Sequence, residues 1–128
     1  RAHPTNIPGP VSRQAMKIGA QAEQWAAQYL QQHGLKPITQ NFRSRFGEID
    51  LIMQDGATLV FIEVRLRRNA NFGGAAASID ARKQQRIIHT AQQYLASLAR
   101  TPPCRFDVVL MDDAQGHNVQ WLKNAFDA

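Results

Sequence analysis

Two runs of strand-forming side chains that flank an Asp55-Gly56 pair constrain this chain more than any other feature: Gly47–Arg68 reads GEIDLIMQDGATLVFIEVRLRR. An Asp-Gly pair between alternating apolar runs is a strong hairpin signal. In the first run Ile49, Leu51 and Met53 alternate with Glu48, Asp50 and Ile52; in the second Val60, Ile62 and Val64 alternate with Leu59, Phe61, Glu63 and Arg65. A two-residue turn at Asp55-Gly56 predicts Glu48 opposite Glu63, Asp50 opposite Phe61 and Phe46 opposite Arg65. Opposed residues share a sheet face, so Glu48, Asp50, Glu63 and Arg65 are expected on one side of one ribbon. A three-residue loop would divide them between faces.

Two carboxylates ~4 Å apart repel by about 4 kcal/mol at an effective dielectric of 20, which demands a cation, a neighbouring Arg or a retained proton. One reading is a solvated face whose acids pair with Arg43, Arg45 and Arg65. The distribution of charge favours another. Of fifteen Lys+Arg, eight (Arg43, Arg45, Arg65, Arg67, Arg68, Arg82, Lys83 and Arg86) lie between 43 and 86 and bracket the acids. Acids at the centre of a cationic surround suit a phosphodiester: basic groups hold the backbone and carboxylates hold a metal. Net charge of +5 and a pI near 10 agree with an anionic partner, nucleic acid rather than membrane.

The order of these residues resembles the PD-(D/E)xK pattern of the restriction-endonuclease-like fold, with Asp50 as the first acid and Glu63-Val64-Arg65 as the acid-x-basic triplet. The segments GEIDLI, FIEVR, GGAAAS, KQQRI and RFDVV, in that order, are similar to those of the YraN family of bacterial proteins, from about Gly19 to Asp127. That resemblance implies an α/β fold with a central mixed sheet flanked by helices (an αβββαβ core), related to archaeal Holliday-junction resolvases. It implies a Mg²⁺- or Mn²⁺-dependent endonuclease acting on DNA, branched or flapped structures among the candidates. Asp50 and Glu63 would bind the ion, with the Val64 carbonyl as third ligand, and the ion would acidify a bound water. Glu48 or Glu23 would hold further waters or a second metal, and Gln84 would orient the nucleophile. Arg43, Arg45, Arg67, Arg68, Arg82, Lys83 and Arg86 are expected to hold nucleic acid. Resolvase-like relatives act as dimers, so the resemblance also admits a homodimer. One departure matters: Arg65 stands where the pattern has Lys, and an arginine cannot act as a base. A nucleic-acid binding module of the same fold with little or no turnover is therefore the alternative, and a protein whose acids only form salt bridges is a third reading.

The rest of the chain reads as one domain over 13–128 behind a loose tail at 1–12. Ser12 is expected to cap a helix running to about Gln32, with Ile18, Ala22, Trp25, Ala26, Tyr29 and Leu30 as its apolar stripe and Glu23 beside it. A short strand over Pro37–Phe42 precedes the hairpin. A cationic loop of about ten residues with Phe72 at its tip follows it. Ser78 or Asp80 is expected to cap a second helix to about Arg100, with core positions Ile87, Ile88, Ala91, Leu95 and Leu98. Arg105–Met111 reads as a strand parallel to Leu59–Arg65, followed by an edge strand Asn118–Leu122 and a brief helix or coil; Trp121 is expected to cap the core. The single cysteine, Cys104, fits a reducing cytoplasm and is expected to be a packing residue. Histidines at 3, 33, 89 and 117 lack the spacing of a zinc site. No apolar run approaches a membrane span and no signal peptide is visible.

Overall fold

The computed structural model describes residues 10–67 and 79–128, with side chains from residue 17 onward. Its elements are α1 (Pro10–Gln32), β1 (Lys36–Ser44), β2 (Gly47–Asp55), β3 (Thr58–Leu66), α2 (Ala81–Ala96), β4 (Cys104–Met111) and β5 (Gln120–Phe126). The strands form one sheet in the order β1-β2-β3-β4-β5. Every neighbouring pair is antiparallel except β3 and β4, which run parallel, as a strand–helix–strand connection requires. This is the mixed α/β architecture expected from sequence, with αβββαβ in chain order and β5 added at one edge.

The sheet is covered on both faces, which is why Leu59, Val60, Phe61 and Ile62 of β3 are all buried. On one face Ala22, Ala26 and Leu30 of α1 meet Leu51, Met53, Val60, Ile62, Val109 and Met111. On the other, Ile87, Ile88 and Ala91 of α2 meet Ile49, Ile52, Leu59, Phe61 and Phe106. Both helical stripes follow the predicted period, except that Ile18 lies exposed beyond the sheet. After Gln32, α1 stops in a Schellman arrangement, with the Leu35 amide bonded to the Leu30 carbonyl and that of Gly34 to Gln31.

Several boundaries differ from expectation. α1 already includes Pro10, a residue at home in a first helical turn, so its start precedes Ser12. β1 extends to both sides of Pro37–Phe42 because its whole length pairs with β2. α2 ends at Ala96, where the Ser97 amide bonds back to Tyr94 and Leu95. Asp80, whose side chain accepts from the Lys83 amide, is its N-cap. The chain closes with the strand β5 rather than a helix, held along β4. Cys104 is exposed, at the first position of β4 rather than in the core. The expectations for the tail up to residue 9, and for Arg68, Phe72 and Ser78, lie outside the described residues.

Candidate functional site: a carboxylate pair beneath two basic clefts

The hairpin turns one residue later than its Asp-Gly signal suggests. Asp55 pairs with Thr58, leaving Gly56-Ala57 as the two-residue loop. Gly56 has φ 62°, and it is the only one of the two with positive φ, as a turn with glycine at its first central position needs. Every partner is thereby moved by two residues: Leu51 faces Ile62 and Ile52 faces Phe61. A two-residue shift preserves the sheet face. Continued one step further, the register sets Asp50 against Glu63, in place of the predicted opposition of Glu48 and Glu63.

At that step the ladder gives way to a side chain. The last paired residues are Leu51 and Ile62, and beyond them the Val64 amide donates to Asp50 Oδ2 at 2.8 Å. β1 is irregular at the same level, where Asn41 has φ 52° and donates from its side chain to Glu23 Oε1 at 2.8 Å. Asp50 therefore sits at the fork between β2 and β3, within hydrogen-bonding reach of the Glu63 carboxylate. Burial, then the charge of Glu63, pushes its carboxyl from 3.8 up to about 8; the Val64 amide opposes this, and Glu23 adds to it from α1. Amides of Leu59 on β3 and of Arg67 just past its end bond to carbonyls of Pro103 and Met111. Odd-numbered residues of β3 thus point their backbone groups at β4, so the carbonyl of Val64 turns the other way, toward Asp50.

Glu63 is buried to 6% exposure and has two cationic neighbours: Lys83 Nζ at 3.4 Å and Arg65 Nη1 at 3.5 Å from the same oxygen, Oε2. Lys83 comes from the first turn of α2, so the end of β3 and the start of α2 meet over the acids. Two clefts open beside this meeting point. One, of about 200 Å³, is lined by Arg65, Asp80, Arg82, Lys83 and Arg86. The other, of about 370 Å³, lies between the β1–β2 turn and α2, and shares Lys83 and Arg86 with the first. Among the described residues Arg45, Arg82 and Arg86 enter no ion pair, and all three line the clefts.

The remaining predicted residues divide. Glu48 lines the larger cleft but is engaged by Arg43 at 2.7 Å, and so is drawn off the carboxylate pair. Glu23 approaches from the α1 side through its effect on Asp50. The Gln84 side-chain amide donates to the Ile79 carbonyl at 3.0 Å, which ties down the start of α2. Arg67 turns away from the clefts, and its guanidinium binds Asp112 at 2.8 Å and the Asn118 carbonyl, bracing the β4–β5 connection. Sequence reasoning placed Lys83 among general phosphate contacts and did not single out its pairing with Glu63. The two are twenty residues apart on different elements, and no period along the chain links them.

Chemically, the site offers two adjoining carboxylates and an inward-facing carbonyl, an all-oxygen donor set of the kind that suits Mg²⁺ or Mn²⁺ better than zinc. No group of three or more His, Cys, Asp or Glu suited to holding a metal occurs among the described residues. An ion here would keep several waters, as Mg²⁺ ordinarily does. No described helix is long and apolar enough to cross a membrane.

Comparison with known proteins places this geometry in a family. The model of the uncharacterised protein family UPF0102 matches residues 22–111, a span that contains both acids and Lys83. A UPF0102 protein of Nitrosospira multiformis is 51% identical over 109 residues, covering 85% of this chain and 92% of its own. One from Janthinobacterium sp. (strain Marseille) is 53% identical over 117 residues, covering 91% and 93%. One from Cupriavidus taiwanensis is 54% identical over 119 residues, covering 91% and 86%. The chain belongs to the UPF0102 family.

Proposed function

We propose that this UPF0102 member is a metal-dependent phosphodiesterase that cuts DNA, with the fold and chemistry of an endonuclease of the YraN type. The observation that carries the reading is the juxtaposition of Asp50 and Glu63 where the β2–β3 ladder ends, where burial and the neighbouring charge of Glu63 make charge on Asp50 costly. A fold that retains such a pair beneath cationic clefts has a use for a divalent ion and a polyanion together.

Asp50, Glu63 and the Val64 carbonyl would hold the ion. When bound, it supplies Lewis acidity toward a phosphate oxygen and a more acidic water. The chain's own cations do the rest. Arg65 and Lys83 flank Glu63 and present positive charge where a phosphate would lie against the acids. Arg82 and Arg86 extend that charge along α2 and position the backbone on either side of the scissile group. Arg65 stays protonated and takes no proton from water; its role is to stabilise charge that builds on the phosphate.

A second reading, a binding module of this fold without turnover, is favoured by one observation. Lys83 and Arg65 already neutralise Glu63, so the site has internal compensation before any ion enters. Cleavage of single-stranded, flapped and four-way DNAs in Mg²⁺ or Mn²⁺, beside the double variant Asp50→Ala/Glu63→Ala, separates the two. Metal-dependent cutting by the parent and none by the variant is expected. Binding without cutting in both supports the module, and cutting that survives the double change removes this site from consideration.

A further inference from the structure

An aromatic side chain beside the acids has no part in the core. Phe46 sits with Arg45 at the tip of the turn joining β1 to β2, and belongs to none of the three apolar clusters among the described residues. Its ring is only partly buried. The Arg45 guanidinium lies 5.1 Å from the ring centroid, and the His89 ring of α2 lies 5.2 Å away, tilted by 58°. Phe46 also lines the larger cleft, together with Lys83 and Arg86.

The tip is fixed in place. The Phe46 amide donates to Ser44 Oγ at 3.0 Å, and Ser44 Oγ in turn meets Thr90 Oγ1 of α2 at 3.4 Å. Gly47 serves the turn through its backbone, since φ 148° is a conformation that L side chains rarely adopt. The cleft is thus bounded by a held turn that carries an aromatic ring, with Arg45, Lys83 and Arg86 as its cationic lining. Glu48 is the one acid lining it, and Arg43 offsets that charge.

We propose that this cleft receives a single unpaired nucleotide adjoining the scissile phosphate, its base stacked on Phe46 and its phosphate held by Lys83 and Arg86. The proposal rests on the hydrolytic reading above and narrows its substrate to nucleic acid with a single-stranded segment at the cut. Bases in a duplex already stack on one another and offer no free face to a side chain, whereas aromatic platforms in basic grooves hold unpaired bases. A volume of about 370 Å³ is at the small end of ligand clefts, enough for one such unit rather than a helix. Lys83 links this cleft to the reaction centre, because the same ammonium that lines it lies 3.4 Å from Glu63.

The test is binding of the full chain, in EDTA, to a single strand carrying 2-aminopurine and to a blunt duplex of equal length, for the parent, Phe46→Ala, Phe46→Leu and Phe46→Trp. Loss of one base stack weakens binding about tenfold. That loss is expected for the Ala and Leu variants on the single strand alone, with 2-aminopurine quenching lost in both and retained by Trp. Leu keeps the apolar bulk, so it reports on the π-face even where Ala disturbs the turn. Equal losses on strand and duplex, or none on either, overturn the proposal. Cleavage in Mg²⁺ is scored separately: Phe46-dependent binding without cleavage retires the hydrolytic reading alone, and cleavage indifferent to Phe46 retires the subsite alone.

Discussion

At neutral pH the Asp50 carboxyl keeps its proton, because burial and then Glu63 penalise its charge. The unfolded chain ionises the same group near 3.8, so between that value and about 8 the folded state binds the extra proton. Stability therefore falls as pH rises through this window, and the penalty is complete above about 8. Replacing Asp50 with Asn removes it while an amide oxygen can still accept from Val64. Asp50→Asn is expected to exceed the parent in stability by on the order of 2 kcal/mol at pH 8 and to match it near pH 4, as read from urea melts. A cation at the pair displaces the same proton, so Mg²⁺ affinity, followed by calorimetry, is expected to rise about tenfold per pH unit from 6 to 8. At 100 times its Kd the ion is expected to add about 2.7 kcal/mol to stability, and nothing to Asp50→Ala/Glu63→Ala. A pH-independent affinity would show that the proton resides elsewhere.

Among the elements, β5 depends on a second buried acid remote from the chemistry. Asp107 on β4 is almost fully buried, and accepts from Arg105 Nε at 3.0 Å, Trp121 Nε1 at 2.9 Å and the Asn124 amide at 2.9 Å. Two of these donors belong to β5, which binds the edge strand to β4 across its register shift. Arg105 also reaches Asp55 at 3.0 Å, at the far end of the hairpin. Asp107→Ala would leave Arg105 part-compensated and the β5 donors unpaired; a loss of about 3–5 kcal/mol is expected in denaturant melts. The Mg²⁺-induced rise in melting temperature should survive under conditions where the variant stays folded, since Asp107 contacts neither Asp50 nor Glu63. Loss of the rise in a folded variant would mean that the sheet edge and the site are coupled.

Over the whole molecule, charge is concentrated rather than merely positive. Arg105 and Arg67 are spent on internal ion pairs, while Arg45, Arg82 and Arg86 are left around the clefts. Each phosphate neutralised on a single strand contributes about −0.7 to the slope of log affinity against log salt. Arg86→Ala is expected to reduce that slope by about this amount, and Arg67→Ala to leave it unchanged while lowering stability. The same slope for both variants would make the binding surface diffuse and the clefts incidental. Exposure of Ile38 on β1 and Ile18 on α1 does not alter this picture, since single apolar residues at a surface are ordinary.

Element order, the two helical stripes and the identity of the acid pair were legible in the chain, because apolar periodicity and turn chemistry act over a few residues. So was the mixed sheet: a helix of this length between two strands forces them parallel. The register of Asp50 against Glu63 was not. An Asp-Gly signal permits turns one residue apart that leave every side chain on the same face, and the tertiary structure takes the one centred on Gly56-Ala57. Nor could the sequence say which cations serve the acids. Arg67 and Lys83 look alike along the chain, and only the tertiary structure carries one to Asp112 and the other to Glu63, because an ion pair depends on separation in space, which chain order leaves open.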